Sequence, residues 1–163
     1  MVANFVMHKA PREEGDVPLA WDNVVQSEPG LGYVVSTHQN IRVQPAERSV
    51  FTAYLALSDR SPAEARAWMQ KAAPDDLIAL ASTDLKAAYG GKLAPCVERV
   101  AITLRAHAMA IPAPGFRSNA GLAALREVDG PILFAHADLT GFTVFEEASW
   151  WAGARPIARW DRR

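Results

Sequence analysis

The chain holds a single cysteine, Cys96, among 163 residues. That excludes an internal disulfide framework and a zinc site built on several thiolates. No apolar run approaches the roughly 18–20 residues of a membrane-spanning helix, so no membrane partner is expected. The opening residues, MVANFVMHK, lack a basic stretch followed by a long apolar one. No secretory signal is therefore expected, and the cytoplasm is the expected compartment. Neither sign of charge dominates: 17 Lys and Arg stand against 18 Asp and Glu, a net charge of −1. Phosphate backbones are bound by clustered cations, so nucleic acid is not an expected partner. Neither G-x-G-x-x-G nor G-x-x-x-x-G-K-[ST] occurs, which disfavours a self-contained dinucleotide or P-loop site.

What is present is enough for a core. Half of the residues (50%) are hydrophobic and 21% are charged, and the length fits one domain spanning 1–163. Residues 2–8 alternate like a strand, and residues 19–26, 31–38 and 49–57 read as further strands. The period then changes. Ser61-Pro62-Ala63-Glu64 is a capping box with proline at the first helical position, predicting a helix to about Ala72. Pro74-Asp75-Asp76 opens a second helix, which the pattern carries to Tyr89 and Gly90-Gly91 ends. Residues 96–109 and 131–137 read as strands, and Thr143 to Glu146 as a second capping box before a final helix to about Gly153. The order predicts an α+β fold: a mostly antiparallel sheet flanked by helices, ending in a strand–loop–helix unit.

Few side chains announce chemistry. His8, His38, His107 and His136 show no H-x-x-x-H or H-E-x-x-H spacing, so no metal site is expected. There is no G-x-S-x-G, and Cys96 has no local cue for a lowered pKa. Ser36, Thr37 and His38 are neighbours, but successive strand residues point to opposite faces. The pairs Glu13/Glu14, Asp75/Asp76 and Glu146/Glu147 are explained by solvation, helix-dipole and capping roles. Trp150, Trp151 and Trp160 read as core or interface anchors.

The most informative segment is 130–153, GPILFAHADLTGFTVFEEASWWAG. It reads as a strand, an acid at the strand end, a short glycine-containing loop and a capped helix. Strand ends of this kind hold ligands in α/β proteins, and helix N-termini attract electron-rich groups. Asp138 and Thr140 serving only as helix caps is the equal alternative.

The segment FAHADLTGFTVFEEA resembles the closing strand–helix of the flavin-containing amine oxidoreductase superfamily, closest to its bacterial FAD/NAD(P)-binding oxidoreductases. VANF, PLAWDNV, LGYVVSTHQ and RAHAMAIPAPG agree in the same order, so the resemblance covers nearly the whole chain. It implies a substrate-binding half, with 130–160 as the closing FAD-contacting unit. Asp138, Leu139, Thr140 and Thr143 are then expected at the cofactor, Asp138 near its ribityl-pyrophosphate part and the helix from about Thr143 aimed at the pyrimidine edge of the flavin. Trp21, His38 and His107 are expected in the substrate-pocket wall, and no catalytic base is assigned. The family's N-terminal dinucleotide fingerprint is missing, so the chain looks like a C-terminal half. FAD is expected to be shared with a Rossmann-type partner chain and held weakly or not at all by this chain alone. The expected function is a partial or split FAD-dependent oxidoreductase acting on a small organic molecule. The alternative is a non-catalytic binding or assembly module that self-associates. A third reading, an independent enzyme using His38 or His107 as acid–base, ranks last.

Overall fold

The computed structural model describes residues 1–11, 19–26, 30–39, 47–128, 130–142, 144–150 and 154. The chain divides into two compact units, Met1–Ala106 and His107–Arg163.

The first unit is built on a five-stranded sheet in the order β2-β3-β4-β1-β5, with every neighbouring pair antiparallel. The strands are β1 (Val2–Met7), β2 (Asp22–Asn23), β3 (Gly30–Val35), β4 (Ser49–Leu55) and β5 (Val97–Thr103). The alternation legible in β1 and β4 is what positions them. Ala3, Phe5 and Met7 point to one face of β1, and Phe51, Ala53 and Leu55 to the same face of β4. Phe5 lies opposite Phe51, and Ala3 opposite Ala53. A one-residue slip would turn all six to the other face, so burial fixes the register.

Helices α1 (Pro62–Lys71), α2 (Pro74–Ala81) and α3 (Thr83–Tyr89) follow β4. The capping box at the start of α1 forms as the sequence predicts: the Glu64 N–H donates to Ser61 Oγ at 3.3 Å, and the Ser61 N–H donates to Glu64 Oε2 at 2.9 Å. The side-chain hydrogen bond with Ser61, and then the one from its backbone, hold the Glu64 carboxyl below its ordinary value. The box therefore contributes fully above the unfolded carboxylate range and fades as pH falls through the folded value. The expected single helix over 74–89 is broken at Ser82. The Ser82 hydroxyl donates to the Ile78 carbonyl at 2.6 Å and the Thr83 hydroxyl to Leu80 at 2.8 Å. Hydroxyls that bond back to preceding carbonyls bend helices, and the break separates α2 from α3.

The core joins the inward side of the sheet to Ala81, Leu85 and Tyr89, with Leu93 and Cys96 beyond them. Tyr33 stacks on Phe51 with centroids 5.8 Å apart, and Tyr89 closes the trio at 5.9 and 6.0 Å. The Tyr33 hydroxyl donates to that of Tyr89 at 2.9 Å, so buried polar ends satisfy each other. Asp84, almost fully buried on α3, accepts the Gly32 N–H at 2.8 Å and ties the helix to β3.

Several expected strands are shorter. Residues 19–26 contribute only Asp22 and Asn23, β3 gives way to a 3-10 turn at Ser36–Gln39, and β5 stops at Thr103. The α+β class stands.

In the second unit, α4 (Ala120–Glu127) is capped by Asn119, whose Oδ1 accepts from Gly121 N at 2.9 Å and Leu122 N at 3.1 Å. The buried strand expected over 131–137 does not form. Residues 130–132 bend and 133–136 are irregular, with Ile132 68% exposed. A strand needs a neighbour for its backbone groups, and none of the five strands pairs with this run. Residues 137–139 form a 3-10 turn, and 145–150 are helical. Among the described residues, no helix is long and apolar enough to cross a membrane.

Candidate functional site

Within the second unit an open cleft of about 790 Å³ gathers three stretches of chain. One is Ala108–Met109, the second Ala135–Asp138, and the third runs from Val144 to Ser149. Alanines, Met109, Val144 and Phe145 make most of its lining apolar, while His136, Asp138, Glu146 and Ser149 supply its polar atoms. A largely apolar hollow with a few convergent polar groups is the usual form of a small-molecule site.

Within that polar set Asp138 and His136 are in direct contact. Asp138 sits in the 3-10 turn Ala137–Leu139, whose N-cap is His136. The imidazole Nδ1 of His136 lies 3.3 Å from the Asp138 backbone N and 3.3 Å from Asp138 Oδ2. When the ring is neutral at Nδ1 it accepts the backbone N–H; when protonated there it pairs with the carboxylate. The other carboxylate oxygen, Oδ1, is buried with no hydrogen-bond partner among the described residues. The Asp138 side chain as a whole is 43% exposed, so it stands between protein and open cleft. Oδ1 itself is closed to the cleft, so what Asp138 offers there is the exposed remainder of its side chain.

The residues after Asp138 turn away from the cleft. Leu139 is buried, and its carbonyl accepts from Arg126 Nε on α4. The Thr140 hydroxyl donates to the Ala137 carbonyl at 2.8 Å and accepts the Phe142 N–H at 3.0 Å, so it is spent inside the turn. Of the expected cofactor residues, Asp138 alone lines the cleft among those described. Thr143, and with it the second capping box, lies outside the described residues.

The expected pocket residues are dispersed. Trp21 belongs to the first unit, 57% exposed, with its carbonyl accepting the Val35 N–H at 2.8 Å. The backbone of His38 lies in the 3-10 turn Ser36–Gln39, and its side chain is outside the described part. His107 is an exposed bend residue rather than a strand residue and does not line the cleft, although Ala108 and Met109 do. Among the described residues, no three His, Cys, Asp or Glu side chains converge for a metal ion.

Sequence reasoning did not single out His136 or Met109 as site residues. The i,i+2 spacing of His136 and Asp138 around a turn is a local signal. The arrival of Met109 is tertiary and has no local signal. Compared with protein-family models, with curated proteins and with solved structures, the chain finds no match in any of the three.

Proposed function

We propose that this chain is one part of an FAD-dependent oxidoreductase, supplying a flavin-facing cleft and substrate-side structure, while a dinucleotide-binding partner supplies the rest of the cofactor site. The observation that carries the reading is the part-exposed Asp138 carboxylate in a cleft lined mostly by Met109, Val144, Phe145 and alanines. A flavin has the complementary form: a flat ring, apolar at its dimethylbenzene end and polar at its pyrimidine edge, joined to a ribityl chain rich in hydroxyl donors. The residues present fit that portion, with Asp138 accepting from a ribityl hydroxyl and the apolar lining excluding water from the ring. They supply no glycine-rich cradle for a pyrophosphate, so the partner is assigned that part. When bound, FAD would take a hydride from a C–H bond of a small organic substrate, whose adjacent C–N or C–C bond becomes double as a proton leaves the neighbouring atom, and the protein would provide orientation and electrostatics.

The test uses riboflavin, which has the ring and ribityl chain but no pyrophosphate. Titrated with the full chain, its fluorescence is expected to quench saturably. Asp138→Ala is expected to weaken binding about tenfold or more, since a hydrogen bond to a charged group is worth roughly 1.5–3 kcal/mol. Absence of quenching, or equal quenching by the variant, would overturn the reading.

One feature favours the second reading, a self-associating module without redox chemistry. Ile132, Phe134, Phe142, Phe145 and Trp150 are all exposed in one short stretch of chain. Exposed apolar side chains are what a self-association surface would use. A concentration-dependent dimer in sedimentation, together with no riboflavin binding, would select it.

A further inference from the structure

A second hollow, of about 560 Å³, opens in the same unit and is separate in its lining from the cleft of Asp138. Its charged lining residues are both arginines, Arg117 and Arg126, and no acid lines it. Each guanidinium is held by something other than a carboxylate. Arg126, half-buried in the last turn of α4, donates through Nε to the Leu139 carbonyl. That leaves its two terminal amino groups. Arg117 lies over the ring of Phe142, 4.6 Å from its centroid. A cation on an aromatic face keeps its edge donors.

The packing behind Arg117 holds it there. Gly141 has φ +75, and a Cβ at that position would stand 2.8 Å from Arg117 Cγ. Glycine thus permits both the turn and the approach of the arginine stem. Neither guanidinium has an ion-pair partner among the described residues. Two arginines lining one hollow whose lining holds no acid make that hollow a positively charged place in a chain of net charge −1.

We propose that this hollow binds a phosphate group of a small molecule, with Arg117 and Arg126 as its two forks. The guanidinium fork matches the tetrahedral oxygens of phosphate in paired hydrogen bonds, and two forks on one group supply charge and geometry together. Ser118 and the turn at Gly115 complete the rim. The site does not depend on the flavin reading, because the two hollows share no lining residue.

The experiment is a titration of the full chain with inorganic phosphate, followed by 31P line broadening. Sodium chloride and sodium acetate at matched ionic strength serve as controls for screening and for carboxylate binding. Saturable broadening by phosphate is expected, at least about tenfold weaker in Arg117→Gln, with chloride and acetate failing to compete. Arg126→Gln is expected to act likewise. Because it also frees the Leu139 carbonyl, Arg117→Gln alone decides if that variant does not fold. Broadening unchanged in Arg117→Gln, or displaced equally by chloride, would overturn the site. Competition by acetate as strong as that of phosphate would overturn the phosphate assignment. No flavin is present in this titration, so its failure leaves the riboflavin result standing, and the reverse also holds.

Discussion

Replacing Phe51 by alanine is expected to lower stability by about 3–5 kcal/mol, the range for deleting a fully buried phenyl ring. Phe51 is 0% exposed and lies at the crossing point of the core. It faces Phe5 across β1 and Val35 across β3. Its ring stacks on Tyr33 at an interplanar angle of 10° and is tilted against Tyr89. Removing it leaves a void that both tyrosine rings line, and their mutual hydroxyl bond resists the shift that would fill it. Against a domain stability of about 5–15 kcal/mol, the loss is a large share of the whole. A urea midpoint far below the parent's, with an unchanged slope, is the expected result. Phe134→Ala provides the contrast: that ring is 45% exposed, so a change of less than about 1 kcal/mol is expected.

Gly32→Ala is the second large effect, and its cause is backbone rather than volume. Gly32 has φ +99, a conformation that residues with a Cβ avoid, and the added carbon would stand 1.9 Å from the backbone oxygen of Asn23. Strain of that kind costs roughly 1–3 kcal/mol by itself. The collision is with main chain, so relief requires β2 to leave the edge of the sheet. Together these place the expected loss near the top of that range or above it. Displacement of Gly32 would also withdraw its N–H from Asp84, leaving a buried carboxylate without that donor. Urea unfolding reads the loss, and hydrogen exchange reads its place, through faster exchange at Tyr33 and Val35. A midpoint equal to the parent's would show that the strand relaxes at no cost.

How much of this was legible follows from where each signal resides. The alternation in β1 and β4 is local and survives in the structure, as does the Ser61–Glu64 box, because both depend on residues within a few positions of one another. The break at Ser82 was missed because two hydroxyls can cap carbonyls inside a helix as readily as they can point to solvent. Helix α4 carries local signals of its own: Asn119 as N-cap, then alanines, with Leu122 and Leu125 on one face. The run PILFAHA misled for a physical reason. Apolar composition predicts burial and pairing, yet no strand is offered to it, and Ile132 and Phe134 remain exposed. The cleft itself was half visible. The sequence singles out Asp138 as an acid at a strand end; the strand does not form and Asp138 lies in a 3-10 turn, yet it does line the cleft, whereas the arrival of Ala108 and Met109 there depends on tertiary packing.

The central claim is that the cleft around Asp138 receives a flavin. Its most direct test is a map of backbone amide NMR shifts in the full chain as riboflavin is added. The account predicts saturable shifts at His136, Asp138, Phe145 and Ser149, with β1 and β4 of the sheet unmoved. Shifts confined to residues outside that cleft, or none at riboflavin saturation, would contradict it.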